Sequence, residues 1–390
     1  MSAYVLISGD FTTWGGMDRA NYALAWHLAD RVGASVHLVG HSVAAPLAEH
    51  PCVTWHRVPK PLNRYALAGP LLAWKGRCVS SNLAKQGARV VVNGGNCAWP
   101  DVNWVHAVHA AWENHAAHAP TLFRLGASCL KYAAKRAERR ALRMASLVLT
   151  NSQQARQQVI DGVGLPEERV HAVYYGIDPE VFHPIDASER VSARRRWGWP
   201  EERPIVAFIG ALGRDRNKGF DVLFAAWDQL CKDSRWDADL VVAGAGVEVE
   251  LWRRLAAAAG LSERVRMLGF TKQIPDLLAA ADALVSPTRY DAYGLGVHEA
   301  LCRGLPAFVT RSAGIAERYP ADLADLLLRD PPNPVDLAER LRRWRSDMPG
   351  YSGRVARFGA TLRQRTWADM GREIVALLEA STHSTVRTAT

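Results

Sequence analysis

The chain reads as an α/β protein of two domains, each a doubly wound parallel sheet, on three observations. Short apolar runs suited to buried parallel strands alternate with amphipathic helical stretches from one end to the other. Many of these runs exit into glycine-bearing turns, as at Gly9, Gly94-Gly95, Gly210, Gly244 and Gly294. A passage with Pro179, Pro184, Pro200 and Pro204 separates two such series, and 390 residues suffice for two or three domains of ordinary size.

The first series opens with a strand over Tyr4 to Ser8 and a loop from Gly9 to Gly16. A helix follows from about Asp18, with Tyr22, Leu24, Ala25 and Leu28 as its apolar positions, and then a strand at Val36 to Val39. The loop lacks GxGxxG spacing, so a nicotinamide fingerprint is absent. Gly15 and Gly16 would let an anion approach the backbone before a helix, although a tight turn explains them equally well. Arg89 to Val92 is a buried strand ending in the turn Asn93-Gly94-Gly95-Asn96. Val102 to His109 alternates as a strand, which puts His106 and His109 on opposite faces. The spacing of His115 and His118 lacks the carboxylates that would make a metal site convincing.

Leu130 to Arg143 predicts a helix with six basic residues and one acid, Glu138. It could dock on anionic lipid, or it could simply be a solvated charged face. Ser146 to Ser152 is a strand, and a helix continues through Gln158. Residues 181–203 read as a linker with a short basic helix at Ala193 to Trp197.

The second series starts with a strand at Ile205 to Gly210. Its loop carries Arg214, Arg216 and Lys218 into a helix containing Leu223, Phe224 and Trp227; a Lys just before the helix-opening Gly219 can reach a diphosphate without a metal. Strand-and-turn units follow at Leu240 to Gly246 and Val265 to Phe270. Asp237-Ala238-Asp239 imitates a metal-diphosphate triplet, but it lies at the amino end of a strand, away from the ligand edge. After the strand Ala283 to Val285 come Asp291, the glycines Gly294 and Gly296, and a helix bearing Glu299. Its first N–H groups suit a phosphate, and two carboxylates eight residues apart could bracket a polyol.

Composition narrows the function. A net charge of +9 suggests an anionic partner, while the lack of zinc-finger spacing or an RRM-type motif argues against nucleic acid. The six cysteines are scattered with no CxxC pair, as expected of free thiols in a reducing compartment. No apolar run approaches the ~20 residues of a membrane span. The chain enters a strand at once, with no secretory signal expected.

Asp291, Tyr293-Gly294-Leu295, Glu299-Ala300 and Gly304-Leu305-Pro306 together resemble the signature of the family-4 (group 1) retaining glycosyltransferases, enzymes of the GT-B fold. Tyr175-Gly176-Ile177-Asp178 with Phe182-His183-Pro184 is similar to that family's passage between domains. The resemblance implies two Rossmann-like domains with an inter-domain cleft: an acceptor domain at 1–180, a linker at 181–203 and a nucleotide-sugar donor domain at 204–365. A helix at 366–380 would cross back to the first domain, and 381–390 would form a disordered tail.

It further implies that Glu299 holds the donor ribose and that the amides of Gly294, Leu295, Gly296 and Val297 hold the diphosphate. Gly15 and Gly16 would face that diphosphate, with Lys218 and one of Arg214 and Arg216 beside it, and Phe270 would lie by the base. Asp291 and His109, with His106 in reserve, would hold the donor sugar. The implied activity is hexosyl transfer with retention, without metal or cofactor, from a nucleotide sugar to a glycan or lipid-linked acceptor in cell-surface glycan or glycolipid biosynthesis. The expected place is cytoplasmic, peripheral at the inner face of the membrane. Asp291 in place of Glu, Ala211 in place of Arg and Tyr175 in place of Asn depart from the pattern. The Asp291 and Ala211 departures keep open a non-catalytic sugar-nucleotide or glycan-binding protein, and an epimerase or hydrolase of the donor is a further alternative.

Overall fold

Strand pairing among the described residues builds two large parallel sheets, each in its own compact unit, and a small two-stranded one that pairs Asp10–Phe11 with Ser42–Val43. The structure is a computed structural model and describes residues 2–113 and 118–387, the side chains of 382–387 excepted. The first unit comprises Met1–Trp112, Thr121–Gly176 and Arg365–Thr390, and the second Glu113–Pro120 and Ile177–Gln364. His115 lies outside the described residues.

In the first unit the strands are β1 (Ala3–Ile7), β2 (Ser35–Gly40), β3 (Val53–Arg57), β4 (Arg89–Asn93), β5 (Val102–Val105), β6 (Leu147–Thr150) and β7 (Val170–Ala172). All pair in parallel in the order β3-β2-β1-β4-β5-β6-β7. The chain winds outward from β1 in one direction and then from β4 in the other, so β1 and β4 flank the switch point where such sheets bind ligands. Four helices matter here: α1 (Gly16–Trp26), α2 (Tyr65–Ala84), α3 (Thr121–Met144) and α4 (Gln153–Val159). One face of the sheet is closed by α2, whose Leu72 and Val79 pack with Val5, Ile7, Val90 and Val92. Burying each such side chain is worth about 1.5–3 kcal/mol.

Two expectations change in this unit. The strand read through His109 stops at Val105, because its neighbour β6 also ends, at Thr150. Beyond that point the Asn151 side-chain amide, not a backbone N–H, donates to the His106 carbonyl at 3.2 Å. Strand alternation therefore does not govern the two histidines. The basic helix begins at Thr121 instead of Leu130; its first turns are exposed all round, so no apolar periodicity marks them.

The second unit holds β8 (Ile205–Ile209), β9 (Asp239–Ala243), β10 (Val265–Gly269), β11 (Ala283–Ser286), β12 (Ala307–Thr310) and β13 (Leu327–Leu328), parallel in the order β10-β9-β8-β11-β12-β13. The winding is that of the first unit, with the switch between β8 and β11. The chain thus contains two parallel-sheet, Rossmann-like domains. Helices α5 (Ala187–Trp197), α6 (Phe220–Cys231), α7 (Val249–Ala258), α8 (Ile274–Ala280) and α9 (Leu295–Cys302) belong here.

Residues 181–203, read as a linker, are part of this unit's packing. Arg194 of α5 is buried and donates to the Ala280 carbonyl at 3.1 Å and to Asp282 Oδ2 at 2.5 Å. Asp282 also accepts the Ile205 N–H at 2.7 Å, which ties α5 to the first turn of β8. The division between units falls at Gly176 and Ile177, ahead of residue 180. The final helix, Trp367–Arg387, is counted with the first unit and runs past residue 380 into the stretch expected to be disordered.

Candidate functional site

The second unit gathers its chemistry at the carboxyl ends of β8 and β11. The loop after β8 delivers Lys218 and the loop after β11 delivers Asp291. Lys218 Nζ donates to Asp291 Oδ2 at 2.6 Å, while Asp291 Oδ1 accepts the Tyr293 N–H at 3.3 Å. The two loops are fastened together below this pair. Asn217 donates its side-chain amide to the Tyr290 carbonyl at 2.9 Å, and the Arg289 N–H donates to the Asn217 carbonyl at 2.8 Å. The Arg289 guanidinium grips both oxygens of Asp221 at 2.8 and 2.7 Å. Gly219 makes this approach possible: it adopts φ of 70°, and a Cβ there would lie 1.8 Å from the Pro287 carbonyl oxygen.

Three residues past Asp291, Gly294 at φ 100° heads α9. The N–H groups of Val297 and His298 both turn back to the Gly294 carbonyl at 3.1 Å. Those of Leu295 and Gly296 thus remain at the helix head with no intrahelical acceptor, whereas the Val297 N–H already has one. Glu299 lies in the body of α9 and is buried. Loop, ammonium, helix head and buried carboxylate are all at the ligand edge of one sheet, with partial positive charge from the helix beside Lys218.

Arg216 is committed elsewhere: its Nε donates to Glu248 Oε2 at 3.1 Å, and its guanidinium lies 5.2 Å from the Trp252 ring centroid. Arg214, on the same loop, is partly exposed. His118 Nε2 meets the other oxygen of Glu248 at 2.9 Å. Phe270, just past β10, is 63% exposed. The triplet at 237–239 is structural. Asp237 accepts from Arg345 Nε and Nη2 at 2.7 and 2.6 Å, and the buried Asp239 faces Arg203, Arg264 and Arg266 at the amino end of β9.

In the first unit the two histidines separate cleanly. His106 is buried, with Nδ1 2.5 Å from the Tyr175 hydroxyl, and burial pushes its imidazole down to about 3. It is a neutral core residue. His109 is 39% exposed at the side chain, and its Nδ1 is 2.9 Å from Glu138 Oε1. Gly15, at φ 79°, caps α1, and Gly16 is its first residue. Asp18 sits in the first turn, where burial, and then the neighbouring Asp10, raise its carboxyl to about 7. Asp10 in turn accepts hydrogen bonds from the Ser42 and Tyr65 hydroxyls. Sequence reasoning missed Glu138 and the Asp10, Asp18 and Tyr65 group. Glu138 had one signal, as the sole acid in a helix with seven basic residues. The Asp10 group joins residues 32 and 55 positions apart and had none.

Comparison with known proteins bears on both units. The model for glycosyl transferases group 1 matches residues 189–360, and that for glycosyltransferase family 4 matches residues 14–181. Among curated relatives, the α-D-kanosaminyltransferase of Streptomyces kanamyceticus is 29% identical over 55% of this chain and 58% of its own length. D-inositol 3-phosphate glycosyltransferase 1 of Catenulispora acidiphila is 31% identical over 51% of this chain and 48% of its own. The chain spans about half the length of the curated relatives it matches. Among solved structures, WaaG, a glycosyltransferase involved in lipopolysaccharide biosynthesis, superposes with a TM-score of 0.76 at 20% identity, covering 97% of this chain and 99% of that one. Anabaena HepE in complex with UDP gives 0.70 at 20% identity, over 97% and 100%. These neighbours share the GT-B fold, and the two family models between them take in both units. The chain therefore belongs to the group 1, family 4 glycosyltransferases.

Proposed function

We propose that this protein moves a hexosyl group, with retention, from a nucleoside diphosphate sugar to a hydroxyl of a glycan or lipid-linked acceptor, without a metal. The carrying observation is the Lys218–Asp291 pair at the switch point of the second unit, beside the head of α9 and the buried Glu299. In this reading Lys218 and the Leu295 and Gly296 amides stabilise negative charge on the departing diphosphate, and Glu299 accepts the ribose hydroxyls. Either Arg214 or Arg216 supplies a second cation, and Arg216 also pairs with Glu248. His109 and Asp291 hold the donor sugar. The C1–O bond to the diphosphate breaks as a C1–O bond to the acceptor forms on the same face, and the acceptor proton passes to the departing phosphate oxygen. A structural neighbour solved with UDP supports a nucleotide-sugar donor.

A peripheral contact with anionic membrane belongs to the same reading. No helix among the described residues is long and apolar enough to cross a membrane. On α3, however, exposed Leu122, Leu125 and Tyr132 lead into a basic groove of about 550 Å³ formed by Lys135, Arg136, Arg139, Arg140 and Arg143. Lipid phosphates would neutralise that groove while the apolar turns enter the interface. Salt-sensitive sedimentation with anionic but not neutral vesicles is the expected result.

The transfer reading is tested by thermal shift with UDP-, GDP- and ADP-sugars, followed by product analysis with and without acceptors. One donor at 100 times its Kd should stabilise the protein by about 2.7 kcal/mol. A protein stabilised by none of them, or one that consumes the donor equally without acceptor, is not a glycosyltransferase of this kind.

A further inference from the structure

We propose that Glu138 fixes the tautomer of His109, so that His109 presents a lone pair at Nε2 and accepts a hydrogen bond from a hydroxyl of the donor sugar. This rests on the assignment of His109 to that sugar; the role of Glu138 comes from the geometry alone.

The Glu138 carboxylate is 1% exposed at its side chain and meets His109 twice. Its Oε2 accepts the His109 backbone N–H at 2.9 Å, and its Oε1 lies 2.9 Å from Nδ1. A carboxylate only accepts, so Nδ1 carries the proton and Nε2 is left as the acceptor. One turn earlier on α3, Lys135 Nζ donates to the Ala110 carbonyl at 3.1 Å, which holds the next residue of the same loop. Backbone packing fixes the helix at this level, for a Cβ on Gly95 would lie 3.1 Å from the Glu138 nitrogen. The imidazole is thereby aimed by a rigid element, and its free nitrogen suits a neutral sugar hydroxyl and repels a carboxylate. A hexose with that hydroxyl in place, and not a hexuronate, is the donor class this implies.

Glu138→Gln tests the idea without emptying the site. An amide has one accepting oxygen. The backbone N–H can only donate, so the amide oxygen turns to it and the NH₂ group donates to Nδ1. The side chain keeps its size and both bonds, but the ring is driven to the Nε2–H form, which can no longer accept from the sugar hydroxyl and must donate to it instead. Reversing a histidine's tautomer through its acidic partner is costly in catalysis even where geometry is preserved.

The readout is long-range ¹H–¹⁵N correlation of ring-labelled histidine in the full chain, with His109 assigned among the 13 histidines through His109→Ala. Donor kinetics and melting are measured alongside. The expected result is Nδ1–H in the wild type and Nε2–H in Glu138→Gln, with kcat/KM lowered about ten- to hundredfold and little change in melting. Glu138→Asp, still a carboxylate, should keep Nδ1–H and recover part of the activity. An Nε2–H form in the wild type, an unchanged tautomer in Glu138→Gln, or a reversed tautomer with undiminished transfer would each overturn the inference. Wild-type transfer by His109→Ala would overturn the assignment to the donor sugar instead, and the spectra distinguish the two failures.

Discussion

Replacing Lys218 by Ala separates a catalytic cation from a structural one, because the structure sets the two effects far apart. In the resting protein Lys218 is paired with Asp291 at 2.6 Å, and the side chains are 32% and 24% exposed. Water and salt reach such a pair, so it contributes about 0–1 kcal/mol to stability. For a unit of this size that corresponds to a melting change of at most about 2–4 °C. Against a diphosphate the same ammonium makes charge-assisted hydrogen bonds worth about 1.5–3 kcal/mol each. The Lys218→Ala variant should therefore melt close to the wild type while kcat/KM for the donor falls about ten- to 150-fold. Steady-state kinetics with the donor varied, together with calorimetry, read both quantities. Kinetics within twofold of wild type, or a melting loss of about 10 °C, would show that Lys218 does not act on the leaving group.

Two further predictions concern pH and lie in the first unit. Burial lowers the His106 imidazole to about 3, so the stability it supports is present above the unfolded value of 6.5 and is lost as pH falls toward 3. At pH 5 the loss is about 2 kcal/mol, and His106→Phe should remove that part of the acid sensitivity in pH-dependent urea melts without changing kcat of the folded fraction. Asp18 has the opposite sign: its carboxyl is raised from 3.8 to about 7, so stability present below 3.8 is lost as pH rises through 7. Asp18→Asn should accordingly gain on the wild type between pH 4 and 7, by up to about 4 kcal/mol, and parallel curves for the two proteins would refute the raised carboxyl.

What could be read from the sequence depended on whether the controlling interaction was local. Buried parallel strands are continuous apolar runs, so Val36 to Val39, Arg89 to Val92 and Ile205 to Ile209 were legible, and the glycine exits marked their ligand ends. The eight-residue interval from Asp291 to Glu299 is also local, set by one loop and one helix. Where a distant partner decides, the pattern was silent. Prolines suggested a linker at 181–203, but Arg194 is fixed by Asp282, 88 residues away. A basic periodicity suggested a solvated face, yet its single acid turns inward to His109, 29 residues back.

The aspartate at 291 shows why such a departure needs coordinates. From the sequence, a carboxylate one methylene short of the family's Glu could mean altered sugar choice or weakened activity. In the structure the loops carrying residues 218 and 291 are clamped by the Asn217–Tyr290 and Arg289–Asp221 contacts, and Gly219 lets them approach to backbone distance. The short side chain then spans the remaining gap to Lys218 with one oxygen and keeps the other on the Tyr293 N–H. A Glu in the same backbone would add about 1.5 Å of reach to a gap that the aspartate already spans. It could satisfy Lys218 or Tyr293 only by bending away, so the aspartate is the length that this pair of loops accommodates.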